Sequence, residues 1–228
     1  MSDRIKDRQE AAKWAYELMQ RQDWCILDTE TTGLSRDAQI VELGVLAPDE
    51  TVLLDTLVTP TVEIEPEAVQ VHGITRDRLA TRNAPAFETV FMPLLKAVGR
   101  GDVVIYNAEF DIRLIRQSIK PYGIQLAFPT SDHRGCRIFP NGGGIYCAMH
   151  WYSQWVGELR HDGEYKWQRL PGGDHSAIGD CKAVLRIIRQ MAADWEHSLT
   201  KAAEPTSAEA VAAGAETATA IEFDDIPF

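Results

Sequence analysis

No apolar run in this 228-residue chain approaches the ~18 residues that a membrane-spanning helix needs. Its first ten residues, Met-Ser-Asp-Arg-Ile-Lys-Asp-Arg-Gln-Glu, lack the apolar segment of a secretory signal. No membrane partner is expected, and the expected compartment is cytoplasmic. Cysteine is scarce: Cys25, Cys136, Cys147 and Cys181 contain no Cys-x-x-Cys pair, so reduced thiols are expected rather than a disulfide framework. Positive charge is also short. A net charge of −11 argues against a basic protein that coats duplex nucleic acid. The deficit is uneven, because residues 204–228 hold six acids (Glu204, Glu209, Glu216, Glu222, Asp224, Asp225) and no base. Bound metal would neutralise several of the other acids, so nucleic acid stays open as a partner.

What is present fits one globular domain with a full core; the 45% hydrophobic and 25% charged composition is ordinary for that class. Residues 4–21 carry Ala11, Trp14, Ala15 and Leu18 at spacings of three and four, which predicts an amphipathic helix over the N-terminal 1–21. Trp24 to Leu27 opens a buried strand, and residues 39–46 and 51–57 continue as strands across short breaks. Together they predict a three-stranded antiparallel meander. A Pro-rich connection, 59–66, and a turn at Val71-His-Gly-Ile-Thr75 follow. Residues 85–98 read as a helix despite Pro93. Residues 103–106 read as a short strand, and 110–119 as a helix ended by Pro121. With Pro129, Pro140 and Gly142 to Gly144, residues 129–146 read as loop. Helices are expected over 147–159 and from Ala177 to about Leu199. Strands that give way to strand–helix alternation indicate an α/β fold with a mixed sheet and flanking helices. The main domain is expected over 22–200 and a flexible Ala/Glu/Thr/Ser/Gly linker over 201–220. An interaction tip, 221–228, closes the chain.

The chemistry concentrates in three places. Asp28 and Glu30 end the first strand two positions apart, a spacing that points both side chains to one face. Paired acids beside an apolar strand are costly unless a cation compensates them. Asp111 follows the 103–106 strand in Asn107-Ala-Glu-Phe-Asp111, and Asp180 lies five residues after His175. On one continuous helix positions five apart diverge by about 140°. His175 is therefore expected in the loop before the helix, with Asp180 in its early turns. Hard oxygen ligands without thiolates select magnesium or manganese over zinc. Two such ions ~4 Å apart can activate water and stabilise a leaving oxygen in phosphoryl displacement. An imidazole, with an ordinary pKa of ~6.5, can take the water's proton.

Asp28-Thr-Glu30-Thr-Thr-Gly33, Asn107-Ala-Glu-Phe-Asp111 and His175-x4-Asp180 resemble the three motifs of the DEDDh exonuclease family. That family includes the proofreading epsilon subunit, ribonuclease T and oligoribonuclease. The resemblance spans about 22–198 and includes the Val71 to Thr75 turn. It implies a ribonuclease H-like fold and metal-dependent hydrolysis that removes nucleotides from a free 3′ end of nucleic acid. It further implies two Mg2+ (or Mn2+), with Asp28 bridging both, Glu30 and Asp180 completing one site, Asp111 serving the other, and His175 as general base. Thr31, Thr32, Gly33, Leu34 and Phe110 would hold the terminal nucleotide. His72 would be a turn residue at the site, either structural or facing substrate, and Asn107 would order the turn that presents Asp111. Cys147-Ala-Met-His stands where relatives often carry an acid, and the Tyr165-Lys-Trp-Gln168 loop is not universal; both bear on substrate preference.

Other readings remain beside these. His133-x2-Cys136 and Cys147-x2-His150 have the internal spacing of a zinc clip. Trp151, Tyr152 and Trp155 read as core, whereas Tyr165 and Trp167 read as candidate nucleic-acid contacts. The ending Ile221-Glu-Phe-Asp-Asp-Ile-Pro-Phe228 resembles the acidic tip of bacterial single-stranded DNA-binding protein. That likeness makes Phe223, Asp224, Asp225, Ile226, Pro227 and Phe228 a docking segment for proteins that read the tip, with Phe228 entering an apolar pocket and its carboxylate meeting a basic side chain. The expected function is metal-dependent 3′–5′ exonucleolysis of DNA at single-stranded 3′ ends in replication or repair. An RNA-directed exoribonuclease, or a non-catalytic adaptor acting through the tail, are the alternatives.

Overall fold

Alternation along the first strand decides the layout. In the computed structural model, which describes residues 3–124, 136–137 and 143–203, strand β1 runs Trp24–Thr31. Its side chains split between two cores. Cys25 and Leu27 join one core, while Trp24 and Ile26 join the other. The first core is completed by α4 (Phe87–Val98) and α5 (Ala108–Ile119). The second is completed by α1 (Asp3–Met19), α6 (Ala148–Val156) and α7 (Ala177–Ala203). A strand buried on both faces thus sits at the centre of a three-layer α/β sandwich.

Strand β2 (Ile40–Leu46) pairs antiparallel with β1, and β3 (Val52–Leu57) antiparallel with β2, forming the expected meander. On the other side β4 (Asp102–Ile105) pairs parallel with β1, and β6 (Gly144–Cys147) pairs parallel with β4. A two-residue β5 (Cys136–Arg137) lies antiparallel to β6. The sheet order is β3-β2-β1-β4-β6-β5, a mixed sheet of the expected fold class.

Two local expectations need correction. Residues 129–146 were expected to be loop, but Gly144–Cys147 form β6; its three apolar or aromatic residues after the glycine are too short a run to outweigh the flanking Gly and Pro signals. The 59–81 stretch is more helical than expected, with α2 over Pro66–His72 and α3 over Arg76–Thr81. Pro66 occupies the first turn of α2, where its missing N–H is no loss. Gly73 ends that helix at φ 69°. From the N-terminal helix, Arg8 pairs with Asp194 at 2.9 Å, and Asp7 accepts from Tyr165 Oη at 2.6 Å. Among the second core's partners, Trp14 stacks on Trp151 with centroids 5.1 Å apart, and Tyr152 and Trp155 pack inward. His133, the Cys136 side chain, the linker beyond residue 203 and Phe223 to Phe228 lie outside the described residues.

Candidate active site

Even-numbered positions of β1 face α7, so Asp28 and Glu30 do as well. The opposite strand β2 continues that face with Gly44 across from Asp28 and Glu42 across from Glu30. Gly44 has no side chain, and a Cβ there would lie 2.8 Å from the Ala177 carbonyl carbon. The first turn of α7 therefore sits directly over the acidic end of β1 and β2. Ser176 caps that helix, its Oγ accepting from Gly179 N–H at 3.2 Å. The preceding residue, His175, takes φ 60°, a left-handed conformation that histidine adopts more readily than most residues. Asp180 holds this turn, its Oδ1 accepting N–H groups from Asp174 at 2.8 Å and His175 at 3.3 Å.

The result is that Glu30, His175 and Asp180 each present a ligand atom within 4.8 Å of the others. His175 stands in the loop before the helix and Asp180 in its first turn, as the spacing predicted. His175 is exposed; Glu30 is almost wholly buried, and Asp28 and Asp180 are partly buried.

Asp111 arrives from the other layer. It lies in the first turn of α5 at 4% exposure and accepts a hydrogen bond of 2.7 Å from Thr29 Oγ1. Thr29 is an odd-numbered residue of β1 and therefore faces α5, where it holds Asp111, and the Asp111 charge is the largest one acting on Asp28. Asn107 orders this turn through its backbone. Its carbonyl accepts from Phe110 N–H at 2.9 Å, while its exposed side chain makes no cap hydrogen bond.

Repulsion among these acids is large. Asp28 is pushed well above the usual carboxylate range, first by burial and then by the charges of Asp111, Asp180, Glu30 and Glu42. Burial, then Asp180 and Glu42, push Glu30 up to about 8. Burial pushes Asp111 up to about 7 against the opposing Thr29 hydrogen bond. Such a cluster is a site for cationic charge. Its donors, carboxylate oxygens plus one imidazole, suit a hard divalent ion better than a soft one.

The remaining predicted residues ring this cluster. Thr31 Oγ1 donates to the Gly33 carbonyl at 2.8 Å, and Thr32 Oγ1 accepts from Gln39 N–H at 3.0 Å. Gly33 sits at φ 154° with Glu65 so close that a Cβ would meet its Cδ at 2.1 Å. Leu34 projects into solvent at 75% exposure. Phe110 is half-buried under the Arg113 guanidinium, 5.1 Å from the ring centroid. His72 has both ring nitrogens engaged: Ile74 N–H donates to Nδ1 at 3.0 Å, so Nε2 carries the proton toward the Thr31 carbonyl at 3.0 Å. Burial lowers its pKa, keeping it neutral in that role. Cys147 Sγ contacts the Tyr106 carbonyl at 3.4 Å, and His150 Nε2 lies 3.1 Å from Gln154 Nε2. Neither is in the Glu30–His175–Asp180 group, which is the set of three potential ligands found among the described residues. Sequence reasoning missed Thr29, Glu42 and Gly44; period-two alternation across the β1–β2 pair was the signal that could have found the last two.

A family model described as exonuclease (RNase_T) matches residues 25–188. A curated relative, "Uncharacterized exonuclease CP81" of Escherichia phage 186, is 34% identical over 195 residues, covering 81% of this chain and 93% of the relative. The DNA polymerase III subunit epsilon of Rickettsia prowazekii (strain Madrid E) is 33% identical over 100 residues. That match covers 41% of this chain and only 43% of the epsilon subunit. Among solved structures, E. coli exonuclease I in complex with a dT13 oligonucleotide superposes with a TM-score of 0.51 at 16% identity. It covers 75% of this chain and 41% of the other, a likeness of fold.

Proposed function

This chain belongs to the exonuclease (RNase_T) family and is a nuclease; from that premise we propose that it is a two-metal 3′–5′ exonuclease acting on single-stranded 3′ ends of DNA. The observation that carries the reading is the convergence of Glu30, His175 and Asp180 within 4.8 Å, beside Asp28 and the Thr29-held Asp111.

In this reading Asp28, Glu30 and Asp180 would hold one magnesium ion, and Asp28 and Asp111 would hold a second. When bound, the ions supply Lewis-acid stabilisation of charge developing on the phosphate oxygens. His175, exposed on its left-handed turn, accepts the proton of the attacking water. Leu34 and Phe110 grip the terminal base from two sides, since one projects from the β1–β2 loop and the other from the start of α5. Thr31, Thr32 and Gly33 shape the backbone that receives the terminal sugar, and His72 holds that backbone through the Thr31 carbonyl.

DNA is favoured over RNA because Ile221 to Phe228 resemble the acidic tip of single-stranded DNA-binding protein. That ending would dock proteins that bind the tip of single-stranded DNA-binding protein, with Asp224 and Asp225 steering toward a basic rim. Oligonucleotides of DNA and RNA, single- and double-stranded and labelled at the 5′ end, test the reading with magnesium, manganese or chelator. The expected result is a ladder shortened from the 3′ end on single-stranded DNA, abolished by chelator and by Asp28→Ala. Preferential RNA shortening would transfer the activity to RNA, and release of the 5′ label as a mononucleotide without a ladder would refute the polarity. Removing Ile226 to Phe228 is expected to abolish binding to a tip-reading partner; unchanged affinity would remove the docking role.

A further inference from the structure

Glu42 is an acid the reaction does not call for. It is 8% exposed, stands directly across from Glu30 in the β1–β2 ladder, and points to the same α7-facing side. Like charges in such cross-strand pairs are destabilising, and Glu42 adds to the repulsion on both Asp28 and Glu30. A residue carried at that cost needs a compensating contact. The structure shows one: Glu42 Oε2 accepts the N–H of Ala177 at 2.9 Å.

Ala177 is the first residue of α7, and its N–H is one of the donors that a helix start cannot satisfy internally. Ser176 serves the Gly179 donor in the same turn. The Ala177 donor is served by a carboxylate 135 residues away in sequence, on the sheet that carries Asp28 and Glu30. Gly44, two residues along on the same face, leaves the gap that lets the turn come down. The helix start also places a partial positive charge at this carboxylate.

We infer that Glu42 is a positioning residue: by clamping Ala177 to the sheet it sets the height and direction of the α7 turn that carries His175 and Asp180 over Glu30. The clamp works by reach and acceptance of a hydrogen bond, and its negative charge is incidental. Its Oε2 is taken up by the Ala177 N–H, which assigns it to the support of the turn. The activity part of this inference rests on the proposed exonuclease reaction; the structural part does not.

Two conservative substitutions separate the roles. Glu42→Gln keeps the length and an acceptor oxygen but loses the charge; Glu42→Asp keeps the charge but withdraws the acceptor by one methylene. The clamp predicts that Gln behaves as wild type and Asp does not, and a role for charge in cation binding predicts the reverse. The first readout is NMR amide exchange of Ala177 in the metal-free full chain. Glu42→Asp is expected to speed exchange at Ala177 about ten-fold while leaving amides in the middle of α7 unchanged, and Glu42→Gln to leave both unchanged. The second is the KM-against-kcat split on a 3′-ended oligonucleotide. Glu42→Asp is expected to lower kcat about 10- to 100-fold, the cost of a small misplacement of reacting groups, with KM unchanged. Exchange at Ala177 that is the same in Glu42→Asp and wild type, or slow turnover in Gln with normal turnover in Asp, would overturn the clamp. A wild-type chain that cleaves no oligonucleotide would instead defeat the exonuclease reading, leaving the exchange measurement to decide the clamp.

Discussion

Replacing Gly44 by alanine perturbs the point where the two halves of the site meet. The added Cβ would lie 2.8 Å from the Ala177 carbonyl carbon and 3.0 Å from both Ala177 Cβ and Ile178 N. Carbon atoms pack at about 3.5–4.0 Å, so the start of α7 must lift by roughly 1 Å or β2 must sink by the same amount. Neither is free, since β2 is buried along its whole length. Overpacking of this kind costs about 1–3 kcal/mol, which for a chain of this size lowers the melting temperature by about 2–4 °C per kcal/mol. The larger effect falls on activity. Asp180 and His175 ride on the displaced turn while Asp28, Glu30 and Asp111 stay behind, and a misplacement near 1 Å can cost about 100-fold in rate. The assay is the initial rate of nucleotide release at saturating magnesium alongside a thermal melt of the same sample. A Gly44→Ala protein that melts a few degrees lower and turns over about 100-fold more slowly supports the geometry. Wild-type turnover would refute the idea that this contact sets the height of α7.

Other outcomes follow from the same contacts. Without cations, Glu30 sits near about 8 against an ordinary 4.5 and Asp111 near about 7 against 3.8. The folded chain then holds protons that the unfolded chain has released, so its stability is greatest below those ordinary values and is lost as pH rises through the window to about 8. Thermal melts in chelator should therefore fall from about pH 5 to about pH 8, and a melting temperature that climbs over that range would contradict the account. Thr29→Val deletes the hydroxyl that holds Asp111. It should cost about 1–3 kcal/mol in denaturant unfolding and, by removing the bond that lowers Asp111, move the acidic limb of the activity profile to higher pH. Asp194→Ala removes the acceptor of Trp155 Nε1–H at 2.9 Å and the partner of Arg8. Because that ion pair is largely exposed, the loss should be about 1 kcal/mol in a melt, with the nucleotide-release rate unchanged.

The meander, the two-sided burial of β1 and the places of Asp28, Glu30, Asp111, His175 and Asp180 were legible because each rests on a short local pattern. Period two puts Asp28 and Glu30 on one face, and five-residue spacing keeps His175 out of the helix that holds Asp180. The parts that were hidden depend on contacts between segments. β6 is four residues beside a run of glycines, and its strand character comes from pairing with β4, not from its own sequence. Likewise α2 is a short helix between a proline and a glycine, signals that read equally well as a turn. Thr29 and Glu42 carry no motif of their own. Their parts appear only when β1 is known to have α5 on one face and α7 on the other, and when the register sets Glu42 opposite Glu30. His72 was legible as a residue near the site, but its bond to the Thr31 carbonyl required the fold.

Anomalous diffraction from crystals grown with manganese and a nucleoside monophosphate tests the central claim most directly. Two peaks are predicted, both touching Asp28, one shared with Glu30 and Asp180 and the other with Asp111, with the nucleotide phosphate against them. Absence of peaks at Asp28 in protein that binds the nucleotide, or manganese found only elsewhere on the surface, would contradict it.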